Sequence, residues 1–243
     1  HHPAHANLSE ALRLEGRMDE AVAHAERAVD LGRARIDEAG VTELPAWHAR
    51  DLYRLAQMRH GAGDLDGAAE AYADALAISP ERADWRLERA QTLVQLDEIT
   101  EAGKEYVEVL RVVPDHFVAL GTLASIRDRL GDYENANRLY RAAYAAAPTP
   151  LDRVQIVTRL IRFLSECPDE AHRDVDEAIA LAEELAKITQ MQDPGALAVL
   201  ASTYAAAGRM EEARETASRA VDLARAAGLD DVVERIETEM AGW

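Results

Sequence analysis

The chain of 243 residues carries 27 Lys and Arg against 45 Asp and Glu, a net charge of −18, which excludes nonspecific binding of nucleic acid or of an anionic membrane surface. Its one cysteine rules out an internal disulfide, and no apolar run approaches the roughly 18 residues of a membrane-spanning helix, so this segment is not expected to insert into a membrane. Aromatic residues make up only 5% of the chain, too few for a large globular core but enough for stacked, alanine-rich helix pairs that each contact only their neighbours.

Leu8, Leu12, Gly16, Ala21, Ala25 and Ala28 predict a first helix–turn–helix pair over about residues 2–35, with Asp19 and Glu20 opening its second helix. Ala21 and Ala68 stand 47 residues apart, 13 more than the spacing found further on. The surplus falls around residues 33–44. It predicts an elongated second helix and an irregular connection through residues 40–45.

Three units then follow in one register, over residues 49–82, 83–116 and 117–150. Ala68, Ala102 and Ala136 stand 34 residues apart; Tyr72, Tyr106 and Tyr140 keep that spacing, as do Pro80, Pro114 and Pro148. Three columns in one register mark a stacked helical repeat. In the first of these units Leu52, Leu55, Ala56 and Met58 give a helix its apolar stripe. Gly63 ends that helix, because glycine takes the left-handed C-cap without a Cβ clash. Asp64 or Asp66 caps the next helix, which carries Ala68, Tyr72, Ala75, Leu76 and Ile78 on one side and is stopped by Pro80. The middle unit departs from the pattern. Arg86 and Arg89 occupy positions expected to be apolar, and Asp97 stands where the turn glycine belongs, although aspartate tolerates the left-handed conformation better than most residues.

Beyond Pro148 the spacing loosens. Val154, Val157, Leu160, Ile161 and Leu164 predict an amphipathic helix, then a loop over about residues 167–174 and a second helix bearing Ala178, Ala182 and Leu185. This unit, residues 151–190, has about eight more residues than the 34-residue period, and inserts of this kind often lie on a binding face. Leu200, Ala201, Tyr204, Gly208, Ala213, Ala217 and Ala220 restore the pattern over residues 194–227. Leu229, Val232, Val233, Ile236 and Met240 then face one way, with Asp230, Asp231, Glu234, Arg235 and Glu237 facing the other. That division predicts a capping helix over residues 229–240 that ends the array. The opening His1-His2, without a methionine, reads as the start of a trimmed or excised segment.

These columns resemble the tetratricopeptide repeat, a helix–turn–helix unit of 34 residues. Leu55-Ala56, Gly63, Ala68, Tyr72, Ala75 and Pro80 carry the resemblance in one unit, and Leu123-Ala124, Gly131, Ala136, Tyr140, Ala143 and Pro148 in another. The resemblance implies an all-α fold: a single right-handed α-solenoid over residues 1–243, with about six helix pairs, a capping helix, and first helices lining a concave surface. Chaperone-binding members of the family clamp a terminal carboxylate with lysine, asparagine and arginine side chains. Ala6, Glu10, Tyr53, Arg54, Gln57, Asp84 and Glu88 occupy the corresponding positions here, so that clamp is missing.

No arrangement of residues reads as catalytic, and no cofactor or metal site is expected. The glycine-rich run from Gly61 to Gly67 lacks the Gly-Lys-Ser/Thr and the preceding strand of a phosphate loop and reads as a turn. Asn7-Leu8-Ser9 matches a glycosylation sequon but lies inside a predicted helix. His1, His2 and His5 read as a frayed end, and Cys167, with His172 five residues on, as an ordinary thiol.

Charge is more informative. Residues 49–62 carry Arg50, Arg54 and Arg59 against Asp51, and residues 151–165 carry Arg153, Arg159 and Arg162 against Asp152, whereas 66–78 has Asp66, Glu70 and Asp74 with no base. An acidic protein thus keeps arginines on its first helices. Either these pair with acids of adjacent helices, or they line a groove for a partner with carboxylates. The groove reading assigns contacts to Arg50, Tyr53, Arg54, Gln57, His60, Gln91, Ser125, Arg129 and Arg162. The expected function is therefore a non-catalytic protein-interaction scaffold binding a peptide or helix in its concave groove, an acidic one on the groove reading. Two alternatives stand beside it. One is a regulatory or substrate-recruiting segment of a larger, membrane-anchored enzyme such as a glycosyltransferase, and the other is a scaffold that self-assembles through its first repeat. A cytoplasmic, bacterial-type protein is the expected setting.

Overall fold

The computed structural model describes residues 2–243, and among these the chain forms thirteen helices and no strand, the all-α repeat fold expected. None of the helices is long and apolar enough to cross a membrane. The helices gather into two compact units, one running to Ala119 and the other spanning Leu120–Trp243.

The first unit contains α1 (His2–Leu14), α2 (Met18–Glu38), α3 (Ala46–Ala62), α4 (Leu65–Ile78), α5 (Ala83–Gln95) and α6 (Ile99–Val112). Each helix packs on the one before it, α1 on α2, α3 on α4 and α5 on α6, and the pairs join through α2–α3 and α4–α5 contacts. The surplus residues before Ala68 go where expected. α2 runs for 21 residues, and an irregular stretch leads to Pro45 at the N-cap of α3. Gly63 adopts φ 86° and its backbone N–H bonds back to the end of α3, closing the helix. Between the two candidate caps the structure selects Asp64, whose carboxylate accepts from the Gly67 N–H at 3.0 Å. The glycine-rich run is therefore the α3–α4 turn. Asp97 takes the left-handed conformation at φ 61°, so the turn survives without glycine.

The second unit contains α7 (Phe117–Arg129, from Leu120 onward), α8 (Tyr133–Ala146), α9 (Pro150–Glu166), α10 (Val175–Ile188), α11 (Pro194–Ala206), α12 (Met210–Ala226) and α13 (Asp230–Met240). Thr149 caps α9 by accepting from the Asp152 N–H, with Pro150 in the first turn, where a missing donor is harmless. The extra residues form the loop 167–174, tied down by Asp174 N–H to Leu164 O at 2.9 Å and Arg173 Nε to Cys167 O at 2.8 Å. Cys167 is buried inside that loop, and burial pushes its thiol pKa up, away from thiolate reactivity.

In both units the alanine columns are wholly buried, at Ala68, Ala102, Ala136, Ala178 and Ala213. Small residues there let paired helices approach, and Tyr72 and Tyr140, four positions on from Ala68 and Ala136, reach the next pair at Glu88 and Phe163. Tyr72, Tyr106 and Tyr140 are among the largest side chains with almost no exposed surface.

Candidate functional site

The first unit spends most of its predicted contact residues on itself. Glu88 of α5 accepts from Tyr53 Oη at 2.6 Å, Tyr72 Oη at 2.7 Å and Gln57 Nε2 at 3.2 Å, gathering α3, α4 and α5 around one carboxylate. The Tyr53 ring stacks on Trp85 with centroids 4.7 Å apart, and the Arg82 guanidinium lies 4.4 Å over the other aromatic system. Burial, reinforced by the bond to Glu88, pushes the pKa of the Tyr53 phenol up, so it stays a donor at physiological pH. His60 shares a hydrogen bond with Gln95 at 3.1 Å, and Arg59 pairs with Glu26 at 2.9 Å. Arg54 sits 3.7 Å from Asp51, which takes His2 Nε2 at 2.6 Å. Arg50 and Gln91 are exposed. For Arg54 and Arg59, pairing with local acids is what the structure shows.

The two misplaced arginines of the middle unit find a partner that the sequence did not advertise. Arg86 and Arg89 of α5 both donate to Glu105 of α6, Arg86 at 2.7 Å, while their remaining donors reach Pro80 O and Ala69 O. Glu105 is itself only 9% exposed.

A second buried polar group lies at the α2–α3 contact, where His48 Nδ1 faces Gly32. His48 is 4% exposed and its Nδ1 has no hydrogen-bond partner among the described residues. Burial lowers its pKa, with Asp51 of α3 opposing and Arg33 of α2 and His2 of α1 adding to the depression. An unfolded chain takes up the proton near the ordinary histidine pKa, about 6.5, whereas the folded chain resists it. Stability from this group is therefore complete above about pH 6.5 and falls as the pH drops below it, by at most about 1.4 kcal/mol per pH unit for one proton. Urea unfolding midpoints at pH 7.5 and 5.5 should differ more for the wild type than for His48→Phe. Equal differences would remove His48 as the cause.

The second unit holds a groove of about 470 Å³ between α9 and α11, closed along one side by α13. Its floor is apolar, with Val154, Ile161, Ala198 and Val199. Its rim is charged. Arg159, Arg162 and Glu166 stand on α9, and Arg235 and Glu239 on α13, where Glu239 accepts from Ser202 Oγ of α11 at 2.8 Å. Among the described residues, Arg159, Arg162, Arg235 and Glu166 all lack an oppositely charged group within 4.0 Å. The groove desolvates Glu166 and raises its pKa; Arg162 opposes the rise, and Glu239 and Asp128 add to it. Burial likewise raises the pKa of Asp128 on α7, again against Arg162.

Of the nine residues assigned by sequence, Arg162 alone lines this groove. Ser125 of α7 is occupied by Tyr140 Oη at 3.1 Å and Gly121 O at 3.2 Å, and Arg129 is exposed at the end of α7. Sequence reasoning missed Arg235, Glu239 and Glu166 because it treated α13 as a cap with its charged side in water. Ile236 of the apolar stripe is buried and Leu229 is exposed, while Arg235 and Glu239 line the groove. The signal that could have found them is the spacing: Arg162–Glu166 and Arg235–Glu239 repeat the same Arg-x-x-x-Glu face.

Models of the tetratricopeptide repeat match residues 59–126, residues 119–154, and residues 2–33 together with 194–226. Among curated proteins, two from Arabidopsis thaliana are similar. The inactive TPR repeat-containing thioredoxin TTL3 is 32% identical over 121 residues, and the TPR repeat-containing thioredoxin TTL4 is 29% identical over 119. The alignments take 50% and 49% of this chain but only 14% and 17% of those proteins. A tetratricopeptide repeat protein from Parabacteroides merdae superposes with a TM-score of 0.69 at 14% identity, covering 99% of this chain and 97% of that one. MamA gives 0.61 at 17% identity over 73% and 92% of the two chains. YrrB, described as a TPR protein with an unusual peptide-binding site, gives 0.60 at 16% identity over 86% and 100%. At these identities the structural likeness is one of fold.

Proposed function

Because the chain belongs to the tetratricopeptide-repeat family, we propose that it is a non-catalytic protein-interaction scaffold whose partner segment lies in the α9–α11 groove of the second unit. One observation carries this reading. The groove joins an apolar floor to three arginines and a glutamate that, among the described residues, find no opposite charge within 4.0 Å. Charges left unpaired beside apolar surface are what an amphipathic peptide with its own charges would complete. The first unit offers less, because Tyr53, Gln57 and Glu88 already satisfy one another. A second reading, in which the chain serves a larger protein as its recruiting segment, draws support from the curated relatives, of which the matched stretch is 14% and 17%.

The test compares affinity capture from source lysate by the wild type, by Arg159→Glu/Arg162→Glu and by Arg111→Glu, an exposed position on α6 of the other unit. A protein retained by the wild type and by Arg111→Glu should bind the double variant about 10- to 100-fold more weakly, since a hydrogen bond to a charged group contributes roughly 1.5–3 kcal/mol. Equal retention by all three removes the groove from the function.

A further inference from the structure

We propose that α1 is a proton-released latch: on acidification Asp51 of α3 passes from His2 to His48, the bond between His5 and His24 breaks, and the first helix leaves α2 and α3. This goes beyond the scaffold reading and does not depend on the α9–α11 groove, since every group in it belongs to the first unit.

Little apolar surface holds the latch. Of the thirteen residues of α1 only Ala6, Ser9 and Leu12 are buried, and the Ser9 hydroxyl bonds to Ala6 O of its own helix. Leu8 and Leu14 are exposed. Polar ties therefore carry a large share of the docking, and two of them run through histidine. His5 Nδ1 lies 2.8 Å from His24 Nδ1 of α2 with the ring centroids 5.0 Å apart, so the two nitrogens point at each other and share one proton. His2 Nε2 donates at 2.6 Å to Asp51, which is 5% exposed.

The trigger is His48, three residues before Asp51 on α3. Its Nδ1 lies 3.2 Å from where a Cβ on Gly32 of α2 would stand, and Trp47 and His2 crowd the same point at 3.0 and 3.5 Å. An unprotonated Nδ1 bears this as an unused lone pair, whereas a proton there makes a buried charge that needs an anion. Asp51 favours that charge, and Arg33 of α2 and His2 of α1 oppose it. His2 opens its helix with its side chain 16% exposed and can carry a proton into water. His48 cannot, so Asp51 goes to His48.

The second tie fails in the same direction. The His5–His24 pair keeps its bond with one added proton but not with two, when both nitrogens are donors. Burial lowers the pKa of His5, and His24, the chain's amino terminus and Arg27 of α2 add to the effect. Glu20, which feels the charge of His24 from the same helix, is bound to Arg17. Glu10 of α1, which feels Arg54 of α3, stays charged throughout, because its bond to Arg13 holds its pKa below the usual carboxylate range. The released helix thus takes up protons near the ordinary histidine pKa, about 6.5, that the docked helix resists. Release is favoured below that pH and suppressed above it, by up to about tenfold per pH unit for each proton. What it bares is the face that Leu12 covers, with Ala21, Ala25 and Leu55.

The experiment measures amide hydrogen exchange of the full chain at pH 7.5 and 5.5, helix by helix, as protection factors from which the intrinsic pH dependence of exchange has been divided out. Protection of α1 should fall about tenfold or more at the lower pH, while that of α4 stays within about threefold. His48→Phe and His5→Leu/His24→Leu should each reduce the fall, with circular dichroism checking that both variants fold. Equal α1 protection at the two pH values in the wild type overturns the latch and needs no variant. A fall that α4 shares also overturns it, because the whole unit then opens together, as does a fall that either variant leaves unchanged.

Discussion

Tyr140→Ala should cost the second unit about 3–5 kcal/mol, the range for deleting a buried aromatic ring, measured as a fall in the urea unfolding midpoint. The ring has no exposed surface and stands 5.5 Å from Phe163 of α9, while its hydroxyl reaches Ser125 of α7 at 3.1 Å. One side chain thus ties together α7, α8 and α9, and the helices around it are held at close range by Ala136 and Ala143, which cannot expand into the cavity. Tyr140→Phe keeps the ring and loses one hydrogen bond, so about 1 kcal/mol is expected. A loss below about 1 kcal/mol for the alanine variant would mean that the helices collapse onto the space, contrary to the close packing described. The two variants together separate ring from hydroxyl.

The second large effect concerns Glu105. Removing it as Glu105→Ala should destabilise the first unit by about 3 kcal/mol, the low end for breaking a buried ion pair, because it strands Arg86 and Arg89 together in a largely dry contact. The side chains retain 18%, 24% and 12% of their exposure for Arg86, Arg89 and Glu105, which is why the low end applies. The triple variant Arg86→Leu/Arg89→Leu/Glu105→Leu should behave in the opposite way. It copies the residues one period later, Leu120, Leu123 and Leu139, and should be neutral or more stable by about 1–4 kcal/mol, since an apolar set of similar volume escapes the desolvation of three charges. Chemical denaturation of the single and triple variants decides it. A triple variant less stable than Glu105→Ala would show that the network contributes more than it costs.

Both results bear on what the sequence made legible. The period did most of the work: alanine, tyrosine and proline columns 34 residues apart locate helices, turns and buried positions at once, because each repeat meets the same neighbours. Even Asp97 could be placed, since its column demands a left-handed residue. Side-chain partners were harder to read. Arg86 and Arg89 stood out as misfits, but Glu105 looked like one more acid on an acidic helix until the fold set it opposite them. Tyr53 and Gln57 looked available for a ligand because their acceptor, Glu88, lies 35 and 31 residues away. The α9–α11 groove was hard to read for a different reason. Periodicity says which side of a helix is apolar, and of the stripe it gave α13 only Ile236 is buried, with Val232, Val233 and Met240 half-buried and Leu229 exposed. It does not say what stands beyond the opposite side, where Arg235 and Glu239 line the groove between α9 and α11.

The Arg86–Glu105–Arg89 contact has a further consequence, for how such a chain can be inherited. In neighbouring repeats the equivalent residues are Leu52, Leu55 and Ala71, or Leu120, Leu123 and Leu139, and helices drawn from those repeats could be exchanged with little penalty. A crossover falling between α5 and α6 would join two guanidinium groups to a helix without Glu105, or a buried carboxylate to a helix of leucines. A crossover outside the pair keeps the three residues together. The α5–α6 hairpin is therefore the smallest piece of this chain that can be moved without stranding a charge of the cluster.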